Sequence, residues 1–313
     1  MGKRKEGARR RGGLGRIRAV WRRDAALVLL CLPVIAYYVI FQYLPMYGVV
    51  IAFKDFSIRK GILGSDWVGF QNFLEFFRSF YFWRLLRNTL LVSVYSLLWG
   101  FPLPIVFALF LNELHNGIYK KTVQTLSYLP HFISNVVIVS ILMILLSPSD
   151  GIVNKLIQGL GGHSINFFKQ AQWFRTLYVG SGIWQSFGWN SIIFLAAISG
   201  LDPQLYEAAT MDGASRAQKM LSITIPGIMP TIIIILILSI GNLMSVGYEK
   251  IILMYSPPIY ETSDVISTYV YRRGLVGMEF SFGAAVGLFN SVINLFLLVA
   301  ANRLSRARDM SLW

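Results

Sequence analysis

The stretch that decides the fold is Glu-Ala-Ala-Thr-Met-Asp-Gly-Ala, residues 207–214, which lies between two strongly apolar runs. Asp202-Pro203, just before it, is typical of a helix start, because Asp caps the first N–H groups and proline suits the first helical position. Gly213 is typical of a helix end, where the chain adopts a left-handed conformation that favours glycine. The sequence therefore predicts a short helix that stops at a glycine turn.

A second short helix is expected over residues 214–222, which contain helix-permissive residues. Pro226 and Pro230 then mark the return to an apolar run, because proline suits a first turn but disrupts a helix interior. Glu207 and the two alanines after it form a flat patch with one carboxylate, to which another protein could come close. The segment is predicted to lie at a membrane surface and to bind a partner.

These residues resemble the cytoplasmic motif of the membrane permease subunits of binding-protein-dependent ATP-binding-cassette (ABC) importers, in particular those for sugars and oligosaccharides. The family motif is Glu-Ala-Ala, three residues, Gly, a spacer, then an aliphatic residue and Pro. Here the motif ends at Ile225-Pro226, and Met220 stands where many relatives have Phe. The resemblance implies that the ATPase-coupling residues are Glu207, Ala208, Ala209, Asp212, Gly213, Ala214, Met220 and Pro226.

The resemblance covers residues 100–301 and implies an all-α polytopic membrane protein with six transmembrane helices and a cytoplasmic coupling helix, the type I ABC importer permease fold. It also implies a heterodimer with a second, related permease, two ABC ATPase subunits that bind ATP and Mg, and an extracellular solute-binding protein that delivers a carbohydrate. The alternatives are a permease for a non-sugar solute and a polar connecting loop of another six-span protein.

Composition points independently to a membrane protein. The 313 residues are 55% hydrophobic and 14% charged, with a mean hydropathy of +0.56, which is too much apolar surface for one soluble core. The net charge of +14 does not indicate nucleic-acid binding, because ten of the 29 basic residues lie between Lys3 and Arg23. This basic tail is expected to orient the first span and to lie on anionic membrane lipid. Cys31 is the single cysteine, so no intrachain disulfide is expected.

Hydropathy divides the chain into a basic cytoplasmic tail (1–24), a first span with an outer interfacial segment (25–84), a permease core (85–304) with the coupling segment 202–226, and a cytoplasmic C-terminal tail (305–313). Both termini are expected in the cytoplasm of a bacterium, with the protein in its cytoplasmic membrane. The six predicted spans are 25–50, 85–111 with a break at Pro102-Leu103-Pro104, 122–146 interrupted at Pro130-His131, 176–199, one from near Ile228 to Ile240, and 283–304.

The sequence contains no recognisable ATP-binding, metal-binding or catalytic motif. It has no Gly-x-x-x-x-Gly-Lys-Ser/Thr loop for ATP phosphates, so energy is expected from another subunit. His115, His131 and His163 do not have the spacing of a metal site. A membrane-bound enzyme would need a clustered constellation, and an ion-coupled secondary transporter would need ionisable residues inside the spans. No catalytic residue, cofactor or metal ligand is therefore predicted for this chain.

Polar residues inside apolar spans are candidates for a solute path, because unpaired polar groups are costly in hydrocarbon. Tryptophans beside amides could bind sugar rings, although tryptophan is also common at membrane interfaces. Asparagines on one face of the last span could line a cavity or bond across helices. The predicted path residues are Trp184, Gln185, Trp189, Asn190, Asn242, Ser245, Tyr248, Asn290 and Asn294.

Arg272 and Arg273 lie in the last predicted outer segment, 255–282. Two arginines at the outer end of a solute path could bind a uronic-acid-bearing sugar through charge-assisted hydrogen bonds. The alternative is structural pairing with nearby acids, for which Glu261, Asp264 and Glu279 are the candidates.

Overall fold

The structure is a computed structural model that describes residues 25, 27, 29–114 and 117–306. Both predicted tails lie largely outside these residues. The described chain is predominantly helical, as predicted, with one antiparallel pair of strands, β1 Lys54–Asp55 and β2 Asp66–Trp67. The helices are α1 Leu29–Phe53, α2 Gly61–Gly64, α3 Gln71–Arg78, α4 Phe82–Glu113, α5 Ile118–Phe132, α6 Asn135–Leu145, α7 Ile152–Gly159, α8 Ala171–Ser199, α9 Pro203–Met211, α10 Arg216–Gly241, α11 Tyr248–Met254, α12 Tyr260–Ser263, α13 Ile266–Tyr269 with a π-helical continuation Val270–Val276, and α14 Phe280–Arg306.

Four of these helices, α1, α4, α10 and α14, are long and apolar enough to cross a membrane, and the bent pair α5 and α6 makes a fifth span if counted as one. Helix α8 is not among them, although its 29 residues are long enough. It packs against α4, α5, α10 and α12. Polar residues in membrane helices tend to face other helices or a cavity, which accounts for the less apolar composition of α8.

The predicted interruption at Pro130-His131 is confirmed, and it is larger than a kink. Helices α5 and α6 meet at 101°, so the region predicted as an interrupted span over 122–146 consists of two helices joined by a sharp bend. The chain is extended at Ile133 and at Ser134, whose hydroxyl accepts a hydrogen bond from the Val137 N–H at 3.4 Å and caps α6. Proline removes a donor and serine offers a new cap, so one helix ends and another begins.

The predicted break at Pro102-Leu103-Pro104 is only a local interruption, in which one helical segment ends at Gly100 and the next begins at Pro102. Phe101 keeps helical dihedral angles, with φ −78° and ψ −44°, and its N–H donates to the Leu97 carbonyl at 3.0 Å. Helix α4 therefore continues for 32 residues. Membrane helices tolerate proline where neighbouring groups and local adjustments satisfy the freed carbonyls.

The helix that contains the predicted fifth span begins earlier than Ile228, at Arg216. The expected second helix over 214–222 is the beginning of α10, which runs without a break to Gly241. Residues Met220–Thr224 form a π-helical turn in which the Ile225 N–H donates to the Met220 carbonyl. This wider turn lies directly before Pro226, where an ordinary turn would bring the proline ring against the carbonyl four residues earlier.

Other boundaries shift by a few residues. Helix α1 is described over Leu29–Phe53, α8 begins at Ala171 instead of 176, and α14 begins at Phe280 instead of 283. The segment 54–84 is partly helical, as predicted. Asn242 and Ser245 do not lie on a helix face as expected, because α10 ends at Gly241 and residues 242–247 form a turn before α11.

Three clusters of buried apolar side chains hold the helices together, and van der Waals packing of this kind is a main source of stability between membrane helices. The cluster next to α9 joins α4, α8 and α10 through Ala108, Leu109, Phe194, Ile198 and Ile228. The other two clusters join the opposite ends of α4 and α8 to α3, α6, α11, α13 and α14.

Candidate functional site: an exposed coupling helix and an internal cavity

Helix α9 carries the motif and is built as the sequence predicts. The Asp202 carboxylate accepts a hydrogen bond from the Gln204 N–H at 2.9 Å, and Pro203 occupies the first helical position. No residue of α9 is buried, and Glu207 and Ala208 are exposed. Met211 is 88% exposed. A helix without a covering surface is suited to docking against another protein.

The end of α9 is a glycine turn. Gly213 has φ +76°, its N–H donates to the Thr210 carbonyl at 3.1 Å, and the Ala214 N–H donates to the Ala209 carbonyl at 2.9 Å. These two hydrogen bonds form the Schellman arrangement, which satisfies carbonyls that the helix would otherwise leave free. The turn reverses the chain directly into α10, whose start is capped by Ser215.

The coupling segment is fixed to its own protein on one side. The Tyr206 hydroxyl lies 2.9 Å from the Thr224 hydroxyl, and the Lys219 ammonium donates to the Thr210 hydroxyl at 3.2 Å. Met220 is half-buried and packs against the apolar cluster next to α9, so it faces the interior of this chain. Asp212 and Pro226 are exposed.

Glu207 is the carboxylate of the exposed face. Within the described part of the chain, the Glu207 side chain makes no hydrogen bond and no ion pair. Arg216 and Lys219 lie nearby in sequence at the start of α10, where Arg216 is exposed and Lys219 is half-buried. The carboxylate is therefore available to a basic group of a partner.

A cavity of about 1330 Å³ lies between α4, α8, the C-terminal end of α10 and residues 242–250. Serine, asparagine, glutamine and aromatic side chains line it together with aliphatic groups. Six of the nine predicted path residues line this cavity, namely Gln185, Trp189, Asn190, Asn242, Ser245 and Tyr248. Three do not line it, namely Trp184, Asn290 and Asn294.

One wall of the cavity is an aromatic pair at the break between α5 and α6. The His131 ring stacks on Trp189 with 4.6 Å between centroids and 3° between planes, and Phe132 meets Trp189 edge-on at 5.4 Å. The Gln185 amide donates to the Ile133 carbonyl at 3.0 Å. The break thus places a flat aromatic face beside amide groups.

The two asparagines of α14 that were predicted to line the path, Asn290 and Asn294, do not line the cavity. Asn294 accepts a hydrogen bond from the Met244 N–H at 2.9 Å and donates to the Ser245 hydroxyl at 2.8 Å, so it anchors the turn that lines the cavity. The Asn290 Oδ1 atom is buried and has no hydrogen-bond partner among the described residues. Trp184 is 46% exposed.

Arg272 and Arg273 form structural pairs, as the second interpretation of the sequence expected. Asp264 is fully buried and accepts from Arg272 at 2.9 Å and from Arg84 at 3.2 Å. Arg273 pairs with Glu279 at 2.6 Å and with Glu75. The network joins the N-terminal end of α4 to the segment between α12 and α14.

Sequence reasoning missed Lys250, Tyr178 and the stacking role of His131, all of which line the cavity. The available signal was a lysine, Lys250, that directly precedes the apolar run at residues 251–254. No group of three or more His, Cys, Asp or Glu side chains that could hold a metal ion occurs in the ranges 29–114 and 117–306.

Comparisons with known proteins agree with this architecture. The family of binding-protein-dependent transport system inner membrane components matches residues 100–309. The polygalacturonan/rhamnogalacturonan transport system permease protein YteP of Bacillus subtilis (strain 168) is 45% identical over 280 residues, covering 90% of this chain and 87% of YteP.

Two solved structures are also similar. A chain of a bacterial ABC transporter involved in the import of the acidic polysaccharide alginate is 44% identical, with a TM-score of 0.85, covering 93% of this chain and 99% of that chain. A chain of the bacterial alginate ABC transporter in complex with an alginate pentasaccharide-bound periplasmic protein is 43% identical, with a TM-score of 0.86, covering 95% and 99%.

The motif at 207–214, the exposed helix that carries it and the family match over most of the chain agree. The family resemblance identified in the sequence is confirmed, and the chain belongs to the binding-protein-dependent transport system inner membrane components.

Proposed function

We propose that this chain is one of two transmembrane subunits of an ATP-driven importer, which moves an oligosaccharide from a solute-binding protein across the cytoplasmic membrane of a bacterium. YteP is a permease of a polygalacturonan/rhamnogalacturonan transport system, and the solved relatives belong to an alginate importer, one of them with a loaded periplasmic protein. These substrates share a chain of sugar rings, and this supports a carbohydrate as the solute here.

The proposed assembly contains six spans in this chain, with α8 and the bent pair α5 and α6 each counted as one. Both termini and α9 lie in the cytoplasm. A second, related permease completes the path, and two ABC ATPase subunits bind ATP and Mg. This chain binds no cofactor of its own and catalyses no reaction.

The observation that carries the proposal is the direct connection from α9 to the cavity. Helix α10 starts three residues after Gly213 and runs for 26 residues, a length of about 39 Å. Its far end leads into residues 242–250, which line the cavity. A movement of α9 by an ATPase therefore reaches the solute path through one continuous helix. If a partner binds one of two conformations more strongly by a few kcal/mol, that difference is enough to shift the equilibrium between them.

The cavity wall suits a hydroxyl-rich solute. Amides and hydroxyls at Gln185, Asn190, Asn242 and Ser245 offer scattered donors and acceptors, and Trp189 offers a flat face for a sugar ring. Several moderate hydrogen bonds can select a solute without holding it so tightly that it cannot leave the path.

Copurification with the ATPase tests the docking role of α9. Two exposed apolar residues of α9, Leu205 and Met211, are changed together to Glu in a tagged chain that is expressed with the partner permease and ATPase. The wild type is expected to retain the ATPase, and the double variant is expected to lose it while still inserting in the membrane. Leu160→Glu is the control, because Leu160 is 90% exposed on the segment between α7 and α8. Equal ATPase retention in the double variant would contradict the proposal.

A further inference from the structure

Lys250 is a buried cation beside the cavity. Its side chain begins in the first turn of α11, and only 7% of the residue is exposed. The ammonium donates to the Tyr178 carbonyl of α8 at 3.2 Å and lies 5.2 Å from the centre of the Tyr178 ring. No carboxylate of the described residues lies within 4.0 Å of it. Buried charges are normally paired, because removing an ion from water is costly.

The surroundings leave this ammonium open toward the cavity. Gly182 of α8 also lines the cavity, and a Cβ atom at that position would lie 3.5 Å from the Lys250 Nζ atom. Because glycine has no side chain, residue 182 places no side-chain atom against the ammonium. An ammonium has three donors, and the structure shows one protein acceptor, the Tyr178 carbonyl.

The neighbouring walls do not supply a counter-ion. Helix α8 contains Arg175 and no acidic residue, and α6, which packs against α11, contains no ionisable residue. Glu249 also lines the cavity but is exposed and makes no ion pair with Lys250. An ionisable residue in such a position in a membrane protein indicates a function along the path.

We propose that Lys250 binds a carboxylate of the transported solute, so that the path selects an acidic oligosaccharide, with a uronate as the sugar unit at this point. The proposal rests on the proposed function, in which this cavity is the solute path. The carboxylate would take the open donors of Nζ, and the stacked His131 and Trp189 pair would face sugar rings farther along the cavity. A charge-assisted hydrogen bond of this kind changes affinity by about tenfold to a hundredfold.

The test measures binding to the complete transporter in nanodiscs, without the solute-binding protein. The probes are a labelled uronic-acid trisaccharide and its carboxyl-reduced, neutral counterpart. The wild type is expected to bind the acidic probe at least tenfold more tightly than the neutral one. Lys250→Met, which keeps the length but removes the charge, is expected to bind both probes equally, and Lys250→Arg is expected to retain the preference.

A second variant leaves Lys250 in place. Gly182→Asp puts a carboxylate next to Nζ and is expected to abolish the preference, whereas Gly182→Ser adds similar bulk without charge and is expected to keep it. The proposal is overturned if the wild type has no preference or binds neither probe, or if Lys250→Met and Gly182→Asp keep the preference. ATP-driven uptake by the wild type is measured in parallel, and its failure would count against the proposed function itself.

Discussion

At the residue scale, Gly213 is the position where the absence of a side chain permits the local backbone conformation. Its φ of +76° is strained for other residues, yet a Cβ atom there would meet no atom within 4 Å. The cost of substitution is therefore conformational, about 1–2 kcal/mol. Gly213→Val is expected to lower ATP-driven uptake several-fold, because the turn between α9 and α10 is lost.

Gly213→Asn is the matched variant, because asparagine tolerates the left-handed conformation better than valine. It is expected to keep most of the uptake. Uptake is measured in proteoliposomes with equal amounts of assembled complex. If the valine and asparagine variants lost uptake equally, a side-chain clash or a lost contact would explain the effect and the conformational account would be wrong.

Asp264 is the residue on which the outer network depends. Burial alone would lower the pKa of Arg272, but hydrogen bonds to Asp264 and its charge outweigh this and hold the pKa above its usual value. The guanidinium therefore stays protonated at physiological pH. Asp264→Ala leaves Arg84 and Arg272 without their shared partner and is expected to cost about 2 kcal/mol, less than a fully buried pair because both arginines are partly exposed.

Thermal unfolding in detergent measures this loss. Glu261→Ala is the control, because the Glu261 side chain is exposed and makes no ion pair with the described residues. The melting temperature should fall clearly for Asp264→Ala and stay nearly constant for Glu261→Ala. Equal melting temperatures for Asp264→Ala and the wild type would contradict the structural role of the network.

At the element scale, the contact between α8 and α5 depends on a glycine. A Cβ atom at Gly188 would clash with the Ser127 carbonyl oxygen, which belongs to the backbone and cannot move aside cheaply. Gly188→Ala is expected to push α5 away from α8, shift the adjoining break at Pro130 and reduce uptake strongly. Gly180→Ala on the same helix is the control, since a Cβ atom there meets nothing within 4 Å. Uptake and melting temperature are measured for both, and a harmless Gly188→Ala would contradict the close approach.

The prolines show which elements a sequence can predict. Pro102 and Pro130 were expected to interrupt a span, and Pro226 and Pro230 were expected to mark the return to an apolar run. Among the described residues, only the break at Pro130 bends a span strongly, by 101°. Pro130 is followed by Ser134, which caps a new helix. Pro226 follows a π-helical turn, and Phe101 keeps the helix before Pro102. The deciding factor is what satisfies the freed backbone groups, and tertiary neighbours determine this.

Helix α9 was predictable because local residues fix both of its ends. Asp202, Pro203 and Gly213 each act on the backbone next to them. The cavity was less predictable. Its lining at Gln185, Trp189 and Asn190 follows from one face of one helix, but the position of Asn294 behind the 242–247 turn depends on how α14 packs. Lys250 was missed because its burial arises from α8, which is distant in sequence.

At the scale of the whole molecule, the account predicts a topology. Single cysteines are introduced at positions 66, 161, 207 and 261 in a Cys31→Ser background and labelled in intact cells with a membrane-impermeant reagent. Positions 66, 161 and 261 are expected to react from outside, and position 207 only after the membrane is permeabilised. Labelling of position 207 from outside would contradict the six-span arrangement.

The most direct test of the central claim is uptake by the reconstituted transporter. Proteoliposomes contain this chain, its partner permease and the two ATPases, and the loaded solute-binding protein is added outside. The energy source inside is ATP, a non-hydrolysable ATP analogue, or a proton or sodium gradient without ATP. The account predicts oligosaccharide uptake with ATP alone and a loss of about tenfold in Glu207→Ala, corresponding to about 1.4 kcal/mol at the ATPase contact. Uptake driven by an ion gradient without ATP, or full ATP-driven uptake by Glu207→Ala, would contradict it.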